Sequence, residues 1–205
     1  MFCLKGFGQS TPKTDRTFYD DKFIHIDSIS KSEYDKISPS DNLFDIDTTN
    51  TIKARHDSLI LPIENGTKVI FTDTIINEGW QMRENKNIGS YKSLPYYIVN
   101  ITYWEAGEYV LINKKSGKRF STSPYPLLSP DKKFLIASII LPYIEGTFND
   151  IQLFEINKTE LKEKFNIKPE KFQIEQLKWI SNDKLAVQIG LVGVRNTYGI
   201  ITLKK

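Results

Sequence analysis

The sequence predicts an all-β, mainly antiparallel protein with little helix. Three polar turns of similar composition each run directly into a short apolar segment, as expected where a tight turn starts a strand. Several such segments follow one another at short spacing, which favours a sandwich, a barrel or a propeller over βαβ units. The turns and the segments that follow them are 64–68 before 69–71, 129–133 before 134–137, and 179–184 before 185–187.

Residues 1–22 are predicted to be a disordered tail or the remnant of a signal peptide, and 23–205 a single β-rich domain. The stretch 10–22 is polar, and the small residues Gly6 and Gly8 before Gln9 have the pattern of a signal cleavage site. A chain of 205 residues is long enough to bury a core as one domain.

The first part of the domain combines a short strand, a short helix and a long loop. Residues 23–26 alternate enough for a strand, and Ser30 with Glu33 has the spacing of a capping box. That spacing predicts a helix over 31–37. Clustered Asp, Thr, Asn and Pro residues then predict a loop over 38–58.

From residue 59 onward the pattern is that of strands joined by turns. Asn65-Gly66 is a strong hairpin dipeptide, and the polar stretch 77–95 is predicted to be a long connection. The charged segment 158–166 fits either a helical turn or an edge strand, and a strand is favoured. The remaining predicted strands are 59–61, 68–71, 96–103, 108–112, 134–141, 151–156, 172–180, 184–190 and 198–203.

Two segments resemble blades of β-propeller-like proteins. The run from Tyr109 to Lys118 and the run from Leu128 to Ala137 carry the likeness, which is to uncharacterised secreted or periplasmic proteins of the Bacteroidetes type. The resemblance covers 59–205 and implies a fold and export, with no activity attached. Glu64, Ser129 and Ser181, one from each turn, are 65 and 52 residues apart, whereas regular blades repeat every 40–45 or so. This uneven spacing is compatible with two architectures, an irregular or partial propeller and a stacked-sheet assembly.

Composition excludes several classes of function. A net charge of +3 is too small to indicate a nucleic-acid partner. The single cysteine, Cys3, excludes an intrachain disulfide and a cysteine-based metal site. Since no apolar run approaches about 20 residues, no transmembrane segment is predicted.

Catalytic, metal and cofactor sites are not predicted. His25 and His56 are the two histidines, and no Walker A loop, nucleophile elbow or zinc-protease motif is present. Asp41, Asp45 and Asp47 form a loose acidic loop that lacks the glycine and glutamate of an EF-hand. The enzymatic alternative is a carboxylate-based hydrolase of a glycan or cell-wall component, using residues from Glu105, Glu108, Glu145 and Asp150.

Aromatic residues give the candidate ligand site, with Trp80, Tyr103, Trp104 and Glu105 as its predicted members. Trp104 and Glu105 lie at a predicted turn, where side chains are often at a rim, and Trp80 lies in the long connection. An exposed aromatic platform would suit a sugar or a peptide.

The favoured function is a non-catalytic, exported binding or protein-interaction protein with a protein or glycan partner. Localisation is expected to be periplasmic or extracellular, with the cytoplasm as the alternative. Three Asp-[Ser/Thr]-aliphatic triplets, beginning at Asp27, Asp57 and Asp73, resemble the O-glycosylation motif of exported Bacteroidetes proteins. Glycosylation of all three would require Ser28, Ser58 and Thr74 to be exposed.

Overall fold

The structure is a computed structural model that describes residues 16–38, 45–76, 81–103, 107–122, 126–138, 151–157, 160–169, 172–191 and 194–204. All pairings between the named strands in these ranges are antiparallel, and one helix of five residues accompanies them. The prediction of a mainly antiparallel β protein with little helix is therefore confirmed.

The strands follow the predicted order closely from residue 58 onward. The first elements are β1 (Thr17–Asp20), β2 (Ile24–Ile29), α1 (Lys31–Asp35), β3 (Ile46–Asp47), β4 (Ser58–Pro62), β5 (Lys68–Thr72), β6 (Thr74–Ile76), β7 (Gln81–Tyr91) and β8 (Tyr96–Tyr103). The others are β9 (Gly107–Asn113), β10 (Arg119–Thr122), β11 (Leu127–Leu128), β12 (Phe134–Ser138), β13 (Ile151–Asn157), β14 (Glu160–Ile167), β15 (Gln173–Trp179), β16 (Lys184–Leu191) and β17 (Val194–Leu203).

These strands form four sheets, which we number as layers in the order in which their faces pack. Layer 1 is the hairpin β4–β5, and layer 2 has the order β10-β9-β8-β7-β3, with β6 also paired to β7. Layer 3 has the order β11-β12-β13-β14, and layer 4 the order β1-β2-β17-β16-β15. Each layer contributes a face to the core it shares with the next, which fits both the irregular or partial propeller and the stacked-sheet assembly.

Three apolar clusters lie between the four layers. Leu59, Leu61 and Phe71 of layer 1 pack with Val99 and Ile101 on one face of layer 2. The opposite face of layer 2 packs on layer 3 through another cluster. Alternation along the strands explains this, because neighbouring residues of one strand point to opposite faces.

The core between layers 3 and 4 is the largest of the three clusters. Ile136 and Leu153 of layer 3 meet Ile24, Trp179 and Val187 of layer 4 there. Trp179 has no exposed surface, and its indole Nε1–H donates to the carbonyl of Leu127 at 3.2 Å. This bond satisfies the polar edge of a ring that is otherwise surrounded by apolar groups.

Helix α1 covers part of the outer face of layer 4. Ser30 caps it as predicted, because its side chain accepts from the Glu33 amide while the Glu33 carboxylate accepts from the Ser30 amide. Tyr34 is buried against Tyr198 of β17, with ring centroids 4.9 Å apart. In the described ranges, none of the helical structure has the length and apolarity that crossing a bilayer requires.

Three local predictions are wrong. Residues 17–20 form strand β1, although they lie in the stretch assigned to a tail. Ile46–Asp47 forms a short strand inside the predicted loop 38–58. Most of the predicted connection 77–95 is β7, an 11-residue strand whose polar side chains Asn85 and Asn87 are buried but hydrogen-bonded. The charged segment 160–167 is an edge strand, as favoured.

The recurring turns connect antiparallel strands in three different layers. Ser129 Oγ donates to Asp131 at 2.8 Å before β12, and Ser181 Oγ donates to Asp183 at 2.9 Å before β16. The turn of layer 1 uses different chemistry, since Gly66 has φ +86° and Asn65 accepts from Thr67. The prediction that these turns start strands is confirmed, and two of them share a Ser-x-Asp hydrogen bond.

Candidate functional site

The predicted ligand site falls at one end of layer 2. At this end β7 begins and β8 finishes, because Arg83 of β7 lies directly opposite Tyr103 of β8. Strand β6 joins the same end, with Thr74 opposite Arg83. We call this region the Tyr103 end. Of the predicted site residues, Tyr103 is described, whereas Trp80, Trp104 and Glu105 lie outside the described residues.

Tyr103 presents an exposed aromatic ring that is held at its hydroxyl. Its exposed fraction is 37%, and its Oη–H donates to Glu108 Oε1 at 2.8 Å. Partial desolvation, followed by the hydrogen bond and negative charge of Glu108, raises the pKa of the Tyr103 hydroxyl, while Arg83 opposes that shift. The hydroxyl therefore stays protonated near neutral pH and can act as a donor.

A series of hydrogen bonds begins at Arg83, the cross-strand neighbour of Tyr103, and leads into the interior. Arg83 Nε–H donates to Asn85 Oδ1 at 3.3 Å, and the Asn85 side-chain amide donates to Asp73 Oδ1 at 2.7 Å. The backbone amide of Asn85 donates to the same Asp73 oxygen at 2.8 Å. Because Asn85 is only 2% exposed, its two donors need this carboxylate. This series of hydrogen bonds anchors Arg83 at the edge of the exposed Tyr103 ring.

Arg83 and Asp73 were not among the predicted site residues. Arg83 was missed because the polar stretch 77–95 was read as a connection, so its cross-strand partner was not identified. The alternation of Arg83, Asn85 and Asn87 would have been the available signal, since alternate residues of a strand share a face. Glu108 was considered only as a hydrolytic carboxylate, and here it accepts a hydrogen bond from Tyr103.

A second polar cluster lies on layer 4, around His25. Asp20 contacts His25 Nδ1 at 2.8 Å, and Asp27 contacts Nε2 at 3.1 Å. Lys204 Nζ lies 2.6 Å from the same oxygen of Asp20 and also donates to the carbonyl of Asp21. Hydrogen bonds to the carboxylate of Asp20 and then to that of Asp27 raise the pKa of His25. Hydrogen bonds from Lys204 and then His25 lower the pKa of Asp20.

We expect stability to depend on pH through His25. A raised folded-state pKa means that its contribution is fully present below the unfolded value of about 6.5 and is lost as pH rises through the folded value. Asp20 behaves in the opposite sense, contributing above its unfolded value and losing that contribution in acid. Chemical denaturation from pH 5 to 9, as an approximate range around these values, measures the slope, and NMR titration of His25 locates its pKa.

His25→Gln is expected to remove this slope, whereas His56→Gln leaves it in place and also isolates the His25 resonance. An unchanged slope in His25→Gln would contradict the assignment.

The acidic loop has no free pair of carboxylates among its described members. Asp47 accepts from the Thr49 amide and hydroxyl and from Asn50, and these bonds lower its pKa, with the Thr49 hydroxyl as the largest cause. Asp45 accepts from Ser93 and lies 3.6 Å from Lys132 Nζ. Asp41 lies outside the described residues. Over the described part of the chain, no group of three or more metal-ligating side chains is found.

The three Asp-[Ser/Thr]-aliphatic triplets differ in how exposed their serine or threonine is. Thr74 is exposed, whereas Ser58 and Ser28 are half-buried. Ser28 lies in β2, which is paired on one side with β1 and on the other with β17. The condition that all three hydroxyls be exposed is therefore met at Thr74 but not at Ser28 or Ser58.

Comparisons with known proteins gave no match. No protein-family model, no curated protein and no solved structure was found to be similar to this chain. The likeness to propeller-like Bacteroidetes proteins therefore stays a prediction, and the Tyr103 end has to be interpreted from its own chemistry.

Proposed function

We propose that this protein is a non-catalytic binding protein that holds a glycan at the Tyr103 end. The observation that carries the proposal is the exposed Tyr103 ring, fixed by Glu108 on one side and flanked by Arg83 on the other. A flat ring with hydrogen-bonding groups at its rim suits a sugar, which has apolar C–H faces and hydroxyls around its edge.

The titratable groups of the described residues favour binding over hydrolysis. A glycosidase needs one carboxyl group with a raised pKa as its acid and a second carboxylate across a cleft. Among the carboxyl groups of the described ranges with a shifted pKa, Asp20, Glu33 and Asp47 are all shifted downward. Glu108 is engaged with Tyr103, and both nitrogens of His25 contact carboxylates.

The proposal includes export to the periplasm or the cell exterior. Its support is the sequence resemblance to secreted proteins and the exposed Thr74 in one of the three triplets. Fractionation of native cells, followed by immunoblotting, tests this part separately. Recovery only with cytoplasmic markers would reject export and leave the glycan-binding proposal standing.

Glycan binding is tested with insoluble polysaccharides and purified cell-wall sacculi as probes in a co-sedimentation assay. We expect saturable binding to at least one of them, and Tyr103→Ala is expected to weaken it about tenfold, equivalent to about 1.4 kcal/mol. Tyr103→Phe keeps the ring and is expected to retain most of the affinity. Ile180→Ala is the matched control, because Ile180, in the turn between β15 and β16, is also 37% exposed.

The same samples distinguish binding from hydrolysis. If new reducing ends are released, and Glu105→Gln or Glu108→Gln stops the release, the protein is a hydrolase and the proposal fails. Binding that is equal in the native protein and Tyr103→Ala would reject the site. Absence of binding to all of the probes would reject the glycan.

A further inference from the structure

The outer face of layer 1 combines an exposed apolar pair with a basic side chain. Exposure alternates strictly along β4 and β5, and the residues that point away from the core include Ile60 and Ile70. These two isoleucines lie directly opposite each other and are 41% and 51% exposed. They form an apolar cross-strand pair on a sheet of two strands.

Layer 1 leaves this end of the stack incompletely covered. At the other end, layer 4 carries a polar outer surface and helix α1, with Tyr34 packed on Tyr198. Stacked architectures normally finish in a polar outer face, because an apolar one associates with other molecules. The Ile60–Ile70 pair is the exception to that pattern among the described layers.

Basic side chains are numerous in layer 1 and in the turn that abuts it. Residues 52–73 and the abutting turn 114–119 contain seven basic and three acidic side chains, a net charge of +4 against +3 for the whole chain. The turn is fastened to layer 1, since the Glu64 amide donates to the carbonyl of Lys114 at 2.8 Å. Lys68 projects from the same face as Ile70.

The edges of the hairpin are partly blocked, so its face is the available surface. Arg119 Nη2 donates to the carbonyl of Ile70 at 3.4 Å, and its guanidinium lies 4.7 Å from the centre of the Phe71 ring. On the other edge, Pro62 has no N–H and its carbonyl accepts from Tyr97 at 3.1 Å. A proline and an arginine at these positions discourage addition of another strand.

We propose that the outer face of layer 1 docks an acidic, apolar segment of a partner protein. Aliphatic side chains of the partner pack on Ile60 and Ile70, and its carboxylates meet Lys68, which projects from the same face. The face of a hairpin this long covers on the order of 200 Å². This is too small for a second folded copy, which needs about 800 Å² on each side, but it suits one extended segment.

The test uses a labelled synthetic peptide in which valines alternate with threonines between two pairs of glutamates. We expect saturable binding by fluorescence anisotropy that weakens by more than tenfold from about 0.05 M to about 1 M salt, because screening removes the charge attraction. Ile70→Thr and Lys68→Glu are each expected to weaken it about tenfold.

Matched controls separate this surface from the remainder of the molecule. Ile180→Thr and Lys184→Glu make the same changes at exposed positions of layer 4 and are expected to leave binding unchanged. Tyr103→Ala is also expected to leave peptide binding unchanged, which keeps this proposal independent of glycan binding. A peptide with lysines in place of the glutamates should not bind.

Three results would overturn the proposal. The first is failure of the acidic peptide to bind, or equal binding by Ile70→Thr. The second is self-association in sedimentation experiments that Ile70→Thr abolishes, which would make a second copy the occupant. The third is Ile70-dependent binding to vesicles containing anionic phosphatidylglycerol with no peptide binding, which would identify a membrane surface.

Discussion

Replacing Trp179 with alanine is expected to lower the free energy of unfolding by about 3–5 kcal/mol, the range for removing a large buried aromatic ring. Trp179 is fully buried between layers 3 and 4, among Ile136, Leu185 and Val187. The substitution leaves a cavity and also leaves the Leu127 carbonyl without its indole donor. Both losses act on the largest core of the molecule.

Urea denaturation followed by circular dichroism measures this effect. Trp179→Phe keeps most of the ring volume and loses the indole hydrogen bond, so about 1–2 kcal/mol is expected. Ile180→Ala alters the next, exposed residue and should change stability by less than about 0.5 kcal/mol. If Trp179→Ala cost less than about 1 kcal/mol, layers 3 and 4 would not pack through this residue as described.

The second large effect is expected at Gly89, in the bulge of β7. Its φ is +144°, and a Cβ built there would lie 2.6 Å from the carbonyl oxygen of Asp47 and 2.9 Å from Ile46 Cγ2. Backbone strain and the steric clash each cost about 1–3 kcal/mol, so Gly89→Ala is expected to lose about 2–6 kcal/mol of folding stability. To relieve the clash with an alanine at position 89, β3 would have to move away from β7.

A matched substitution separates the two causes. Gly66 also has a positive φ, +86°, but a Cβ there would meet no atom within 4 Å. Gly66→Ala should therefore cost only the conformational part, about 1–2 kcal/mol. Thermal unfolding of the two variants gives the comparison. Equal losses would mean that β3 does not approach Gly89 closely.

The elements that the sequence predicted well are those whose local pattern agrees with their packing. Ser30 and Glu33 define the start of α1, and Asn65-Gly66 defines the first hairpin, because these signals act within a few residues. Strand β8 was predicted with its observed bounds because it is rich in aromatic and β-branched residues.

The errors occur where distant contacts satisfy polar groups. Asn87 looks like a loop residue, but its side chain donates to the carbonyls of Gly89 and Ile98 and accepts from the Ile52 amide. Gly89 is two residues away, but Ile98 and Ile52 are distant in sequence and cannot be read from local spacing. The short strand β3 depends in the same way on β7, which is itself hidden by its polar composition.

The candidate site was predictable only in part for the same reason. Tyr103 could be identified as an aromatic residue near a turn, and the structure places it at an exposed sheet end. Arg83 is its direct cross-strand neighbour, and that pairing requires the register between β7 and β8. The roles of Trp80, Trp104 and Glu105 remain predictions. They can be tested by substituting these residues in the same binding assay that is used for Tyr103.

The pairing of β2 with β17 in layer 4 sets an order of events during synthesis. Ile24 pairs with Leu203, so β2 must wait for a strand that is made much later. At typical elongation rates this wait is on the order of ten seconds or longer. During that time Ile24 and Ile26, both fully buried in the finished fold, have no final partners. Layers 2 and 3 consist of strands close in sequence and can form first, whereas layer 4 closes only when the ribosome has released residue 203.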